Sequence, residues 1–232
     1  MKRRHFIIGA GAALLSGIAA GQARAAAAGV TIIGLDISDS APLALSQAIA
    51  NKVAGTIEAH IRDLPPGHRI RILSMGDSGV AKREIDYRQE IGTKARSKAR
   101  IVAQDIGARI RSIPGMVKAG KLSQQTSTNL VEFLHSLKSL DCHAEQVNVI
   151  LVTDGIEWSS RVDGRQIIAG TAKIPAPSGR VLDGCSVDMY GVGQQRGDWN
   201  SDGLYDRLEP QWRAFLEEAG ASANIFYDFE RL

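Results

Sequence analysis

Cysteine, aromatic residues and long hydrophobic runs are all scarce in this chain of 232 residues. Its two cysteines are too few for a disulfide scaffold, so the fold has to depend on a hydrophobic core. The apolar run at residues 6–20 is short and rich in glycine and alanine, which argues against a membrane-spanning helix. An apolar fraction of 44% and a charged fraction of 23% are ordinary for a globular protein and exclude disordered or collagen-like classes.

Acidic residues are absent from the first 25 positions, which contain four bases, Lys2, Arg3, Arg4 and Arg24. The formal charge of +3 depends on this segment, because removing 4 of the 28 bases leaves 24 bases against 25 acids. A body that is close to neutral argues against nucleic acid as a partner, since binding to phosphates needs many bases.

The same segment has the layout of an export signal. A basic front is followed by the apolar run and by a small-x-small cleavage site that ends at Ala25. The sequence RRHFI resembles the twin-arginine signal, which exports folded proteins. We therefore expect a signal peptide at residues 1–25, a mature domain at 26–232, and a periplasmic or secreted location. An ordinary secretory signal and an uncleaved anchor are the alternatives.

Strands and helices alternate along the mature chain. Short apolar or β-rich runs predict six strands, at residues 30–36, 68–75, 80–88, 147–153, 186–192 and 222–229. Apolar residues at helical spacing predict helices at 41–64, 94–113, 128–140 and 210–219. Pro114 and Gly115 are expected to end the second helix, and Thr128 to cap the third. Residues 155–185 show little periodicity and are predicted to form a long loop.

This alternation predicts an α/β domain. We expect a doubly wound, mostly parallel six-stranded sheet with helices on both faces and one antiparallel edge strand at 80–88. The ligand crevice of such a sheet lies at the carboxyl ends of its strands. Candidate binding residues are therefore expected just after Asp36, Thr153 and Val192.

Two of these positions carry a recognisable set of polar residues. The first strand ends in the DISDS sequence of Asp36, Ser38 and Ser40, Thr128 precedes a predicted helix, and Asp154 follows a strongly apolar strand. In this order the five residues resemble the von Willebrand factor A domain, whose metal-ion-dependent adhesion site uses a DxSxS motif, a threonine and a second aspartate. The resemblance covers most of residues 30–229.

The resemblance implies a protein-binding module. In the family the hydroxyls bind the metal directly and the aspartates act largely through water, which leaves one position for an acidic group of a protein partner. Two carboxylates and three hydroxyls form a hard oxygen cluster that suits Mg²⁺ or Mn²⁺. The long loop at 155–185 would border this face and influence the choice of partner. Gln124 and Gln125 stand where the family often has glycines.

A second set of oxygen donors lies at residues 198–209, which fit the pattern D-x-[DN]-x-[DN]-G-x5-E. This segment resembles the calcium loop of the EF-hand. The implied Ca²⁺ ligands are Asp198, Asn200, Asp202, the carbonyl of Leu204, Asp206 and Glu209. Because a strand rather than a helix precedes the segment, we expect an unpaired strand-loop-helix site. The alternative is a polar turn.

The two cysteines gain a meaning from the resemblance. In the A-domain sheet the strands predicted at 147–153 and 186–192 are parallel neighbours, and Cys142 and Cys185 precede them. The resemblance therefore implies a disulfide at the amino-terminal edge of the sheet, opposite the metal site. A buried free thiol at Cys142 is the alternative.

Three functions remain open at this point. The first is an exported, non-enzymatic module that binds a protein partner through the metal site and is stabilised by the calcium loop. The second is a Mg²⁺-dependent phosphoryl-transfer enzyme built on Asp36 and Asp154, although the sequence offers no evident general base or nucleophile. The third is a calcium-stabilised structural subunit of an envelope complex. None of the three involves nucleic acid or a stable membrane span after signal cleavage.

Overall fold

The computed structural model describes residues 28–76, 84–195 and 203–229. Its strands are β1 (Val30–Asp36), β2 (Arg69–Met75), β3 (Asp86–Glu90), β4 (Val147–Val152), β5 (Ser186–Tyr190) and β6 (Ser222–Phe226). Its α-helices are α1 (Pro42–Leu45), α2 (Gln47–Arg62), α3 (Ala99–Lys118), α4 (Leu130–His135), α5 (Gly164–Ile168) and α6 (Leu204–Glu218). The predicted signal peptide at 1–25 lies outside the described residues.

The six strands form one sheet in the order β3-β2-β1-β4-β5-β6. Only β3 runs antiparallel to its neighbour, and it lies at the edge as predicted, although residues 80–83 of the predicted strand fall outside the described part. β1 pairs with β2 on one side and with β4 on the other. All seven residues of β1 are buried, which explains its continuous apolar sequence. The predicted sheet is therefore confirmed.

Helices cover both faces of the sheet. On one face α1, α2 and α3 pack on apolar side chains of β1, β2 and β4, including Ile33 and Ile150. On the other face α4 and α6 pack on β4 and β5, with Trp212 of α6 completely buried. Gly34 lets α4 approach closely, because a Cβ there would lie 3.0 Å from the ring of Phe133. The sheet is thus enclosed between two helical layers.

The first two helix predictions are wrong in their bounds. The helix predicted at 41–64 is split at Ser46, whose hydroxyl accepts the backbone N–H of Ile49 and starts α2 anew. The second helix starts later than predicted, at Ala99, and continues through Pro114 to Lys118, since burial of Ile113 and packing of Val117 offset one lost hydrogen bond.

The last two helices also differ from the sequence prediction. α4 ends at His135 and is followed by turns, where a helix was expected to reach residue 140. α6 begins at Leu204 rather than Pro210, because Leu204 and Leu208 are both buried in the core. Among the described residues, no helix is both long enough and apolar enough to cross a membrane.

The segment between β4 and β5 contains more structure than its sequence predicts. It includes α5, which Asp163 caps by accepting the backbone N–H of Arg165 at 2.9 Å. A short bridge between Ser159 and Val162 precedes this helix. Residues 155–185 therefore form a partly helical connection that leads from the carboxyl end of β4 to the amino end of the parallel strand β5.

Candidate metal centre

The two predicted metal aspartates lie at the carboxyl ends of adjacent parallel strands. Asp36 is the last residue of β1, and Asp154 lies two residues beyond the end of β4. Both side chains are fully buried, with 0% exposure. Placing two carboxylates together without solvent is unfavourable unless hydrogen bonds or a cation compensate them.

Hydrogen bonds compensate Asp36. Its Oδ1 accepts the backbone N–H of Ser38 at 2.9 Å and the hydroxyl of Thr128 at 3.1 Å. Its Oδ2 accepts the hydroxyl of Thr153 at 2.8 Å. Burial raises the pKa of Asp36, and these hydrogen bonds work against that rise. Both oxygens of this carboxylate are therefore satisfied within the protein.

Asp154 is satisfied on one side only. Its Oδ1 accepts the backbone N–H of Ile156 at 2.9 Å, whereas its Oδ2 is buried without a hydrogen-bond partner. Burial, followed by the charge of Asp36, raises the pKa of Asp154 to about 7. A buried carboxylate oxygen without a partner is uncommon in proteins and calls for a compensating cation or proton.

The three predicted hydroxyl ligands belong to the same cluster. Ser38 and Ser40 approach within 3.2 Å between their Oγ atoms, and Thr128 is joined to them through Asp36. Ser38 and Thr128 are buried, whereas Ser40 is partly exposed. The structure thus brings the five predicted residues together at one place on the sheet edge.

Thr128 does not cap α4 as the sequence predicts. Asn129 does so instead, because its side-chain oxygen accepts the backbone N–H of Glu132 at 3.0 Å. The Thr128 hydroxyl is left to bind Asp36. A hydroxyl that capped the helix would be turned toward it and away from Asp36.

The loop before Thr128 is held by backbone hydrogen bonds at both ends. Gln125 accepts the N–H of Asp39 at 2.9 Å, and Thr128 accepts the N–H of Trp158 at the same distance. The side chain of Gln125 lies over Gly76, where a Cβ would be 1.2 Å from its Oε1. Gly76 therefore provides the space that the Gln125 side chain occupies.

Two residues of this centre were not identified from the sequence. Thr153 bonds Asp36 and also accepts the N–H of Gly155 at 3.0 Å. Glu157 is buried and its Oε2 accepts the N–H of Val131, in the first turn of α4, at 3.1 Å. Thr153 is detectable as the residue directly before Asp154 on an apolar strand. Nothing in the sequence distinguishes Glu157 from a surface glutamate.

Half of the predicted calcium loop can be located. Asp198, Asn200 and Asp202 lie outside the described residues. Leu204, Asp206 and Glu209 lie in α6. The Oε1 atom of Glu209 accepts two hydrogen bonds from the guanidinium of Arg213. Gly203 precedes the helix in a left-handed conformation with φ 73°, as a sharp turn requires. The calcium site stays a prediction.

The two cysteines are joined in a disulfide. The Cα atoms of Cys142 and Cys185 are 5.0 Å apart. Cys185 directly precedes β5, so the bridge lies at the amino-terminal edge of the sheet. It is therefore at the opposite end of β4 from Asp154.

Within the described ranges, no three His, Cys, Asp or Glu side chains form a group that could hold a metal. The candidate centre consequently depends on serine and threonine hydroxyls together with two carboxylates. Such a donor set suits a small, hard cation that retains some of its water, such as Mg²⁺ or Mn²⁺. The unpartnered oxygen of Asp154 fits the same description.

Comparison with known proteins gives matches in structure only. No protein-family profile and no curated protein sequence matches the chain. A von Willebrand factor type A structure from Catenulispora acidiphila is 15% identical over 87% of this chain and 39% of its own, with a TM-score of 0.44. The ArnB paralog VWA2 from Sulfolobus acidocaldarius is 13% identical over 88% of this chain and 43% of its own, with a TM-score of 0.43.

A third similar structure is the PilB minor pilin from Streptococcus sanguinis, which is 15% identical over 85% of this chain and 56% of its own, with a TM-score of 0.39. This chain therefore spans about two fifths to just over half of the length of these three proteins.

Proposed function

We propose that this protein is a binding module that holds a protein partner through a divalent metal at the Asp36–Asp154 centre. The observation that carries the proposal is the buried, unpartnered Oδ2 of Asp154 beside a second buried carboxylate. The von Willebrand factor A-like arrangement of the sheet suits a protein-interaction role. Mg²⁺ or Mn²⁺ is the metal that the donor set favours.

The residues present fit such a metal. The hydroxyls of Ser38, Ser40 and Thr128 would hold it directly, and Asp36 and Asp154 would hold its water ligands. When bound, the metal would offer a coordination position to an acidic group of the partner. The chain's own residues orient the donors: Thr153 fixes Asp36, and the N–H of Ile156 fixes the other oxygen of Asp154.

The proposal includes export. The twin-arginine-like segment at 1–25 supports it, and so does the disulfide between Cys142 and Cys185, because disulfides persist in oxidising compartments. A periplasmic or secreted location would also supply calcium for the loop at 198–209. This second metal site would stabilise the fold rather than contact the partner.

Titration of the purified protein with Mn²⁺ by calorimetry tests the metal site. Millimolar Ca²⁺ is present throughout, so that the loop at 198–209 is already filled. The wild type is expected to bind one Mn²⁺, and Asp154→Ala is expected to bind none. Asp63→Ala is a matched control, because Asp63 is an exposed residue at the opposite end of α2. A titration of Asp154→Ala equal to that of the wild type would remove the site.

A second measurement tests the partner. Affinity capture from an envelope extract, with and without EDTA, should retain a protein only when the metal is present. Asp36→Ala serves as the control that lacks the site but retains the exposed surface. Capture that is equally strong in EDTA would show that binding does not pass through the metal. The melting temperature of each variant in EDTA verifies that it is folded.

A further inference from the structure

The chain that follows Asp154 returns to the metal centre. The backbone N–H of Trp158 donates to the carbonyl of Thr128 at 2.9 Å, and Glu157 accepts the N–H of Val131 at 3.1 Å. Trp158 is therefore one hydrogen bond away from a residue whose hydroxyl belongs to the candidate metal site. Its side chain is only partly buried, unlike those of the four residues before it.

Local packing fixes the tryptophan ring and places a cation over it. Gly164 provides the space for the indole, because a Cβ there would lie 2.8 Å from Cε3 of Trp158. The guanidinium carbon of Arg165 is 5.6 Å from the ring centroid, within the range of a cation–π contact. Asp163, the nearby acid, uses its Oδ1 to accept the N–H of Arg165 and so caps α5.

A second arginine is presented by the turn that precedes α5. The backbone groups of Ser159 and Val162 bond each other at 3.0 and 3.3 Å, and the N–H of Arg161 donates to the Ser159 hydroxyl at 3.3 Å. Val162 is buried and anchors the turn, whereas Arg161 is exposed at its tip. Burial raises the pKa of Glu157, and the positive charge of Arg161 helps to lower it.

Neither arginine forms an ion pair with a carboxylate in the part of the chain that the structure describes. Arg71, Arg111 and Arg213, in contrast, are each bonded to an acidic side chain. The surface formed by Trp158, Arg161 and Arg165 thus carries two available positive charges beside the site where an acidic group is expected to bind. Charges placed in this way select partners more than they add affinity.

We propose that the surface of Trp158, Arg161 and Arg165 binds a second acidic group of the partner, next to the one that reaches the metal. The inference rests on the proposed function, because it needs the metal site to position the first acid. Guanidinium groups suit carboxylates through paired, charge-assisted hydrogen bonds, and the partly exposed ring of Trp158 supplies a flat apolar neighbour. The occupant that this surface selects is an acidic loop or peptide.

Synthetic peptides test the inference. An array of glycine–serine peptides presents either one aspartate or two aspartates separated by zero to six residues. The purified chain is applied in Mg²⁺ and, separately, in EDTA. The wild type is expected to bind the best two-aspartate peptide about three- to tenfold more strongly than the one-aspartate peptide in Mg²⁺, as exposed ion pairs of this kind allow.

Three variants separate the possible results. Arg161→Gln/Arg165→Gln should keep Mg²⁺-dependent binding of the one-aspartate peptide and lose the preference for two. Arg96→Gln/Arg100→Gln removes the same charge, from the turn before α3 and from its first turn, and should keep the preference. Asp154→Ala should lose all binding that depends on Mg²⁺. The preference of the wild type should also decrease as salt is added.

The failures are distinguishable. A preference that survives in Arg161→Gln/Arg165→Gln, or a wild type that binds both kinds of peptide equally in Mg²⁺, overturns this inference and leaves the metal site intact. A wild type that binds no peptide in a Mg²⁺-dependent manner overturns the proposed function, and this inference with it. Mn²⁺ titration of the arginine variants should match the wild type.

Discussion

Breaking the disulfide between Cys142 and Cys185 should destabilise this protein by an amount set by the length of the closed loop. The two cysteines are 43 positions apart. In the chain-entropy model a loop of this size stabilises the native state by about 4 kcal/mol, because the cross-link restricts the unfolded chain. The unfolding free energy of ordinary domains is about 5–15 kcal/mol, so the disulfide would supply a large part of it.

Two contributions to stability have to be measured separately, that of the cross-link and that of the packing of the sulfur atoms. Reducing the wild type breaks the bond and leaves both side chains in place. Cys142→Ala/Cys185→Ala also removes a buried thiol, since Cys185 is only 2% exposed. The double variant should therefore be less stable than the reduced wild type by roughly another 1 kcal/mol, the usual size of a small cavity.

Urea unfolding followed by tryptophan fluorescence measures these differences. Trp212 is completely buried, so its emission should report the loss of the core. The unfolding free energy should fall by about 4 kcal/mol on reduction, and the slope with urea should rise because the reduced unfolded chain exposes more surface. A change below about 1 kcal/mol with an unchanged slope would refute the loop-entropy reasoning. Two free thiols in the unreduced, denatured protein would show that the bond is absent.

Three other predictions concern the calcium loop, Gly76 and two buried histidines. Ca²⁺ at ten times its Kd should stabilise the wild type by about 1.4 kcal/mol, and Glu209→Gln much less; equal rises in melting temperature would remove the loop at 198–209 as the cause. Gly76→Ala should weaken Mn²⁺ binding in a titration, because its Cβ would overlap the side-chain amide of Gln125, in the loop before Thr128; unchanged affinity would contradict this. Burial lowers the pKa of His60 and of His68 below the usual 6.5, so protonation favours the unfolded chain, and stability should be lost as the pH falls below 6.5. In urea unfolding at pH 7 and pH 5, the wild type should lose more stability than His60→Gln/His68→Gln; equal losses would exclude the histidines.

The sequence predicts the sheet well because the strands are buried and their signal is strong. β1 was predicted with its observed bounds, since an unbroken apolar run has no other stable place than the centre of the sheet. The helix bounds were predicted less well. Pro114 is a stop signal in isolation, but the buried side chains around it carry α3 onward. Local preference was overridden there by tertiary packing.

The sequence identifies the motif residues of the candidate site. It does not identify the residues that join the site only through contacts with distant parts of the chain. Asp36, Ser38 and Ser40 have a recognisable spacing, and Asp154 follows an obvious strand. Glu157, by contrast, acquires its role only because α4 lies beside it in the fold. Asn129 rather than Thr128 caps α4, and the Thr128 hydroxyl instead donates to Asp36, which is 92 positions away in the sequence.

The position of the candidate metal centre at the ends of β1 and β4 has a mechanical consequence. A partner that pulls on Asp36 along the strand axis loads β1 in shear, between parallel neighbours on both sides. The backbone hydrogen bonds along this strand of seven residues then share the force, rather than opening one after another as they would when peeled from an edge. β4 carries the same load from Asp154 toward the chain segment that the disulfide fastens to β5. A load applied at this end of the sheet would therefore be resisted by the hydrogen bonds of two central strands together.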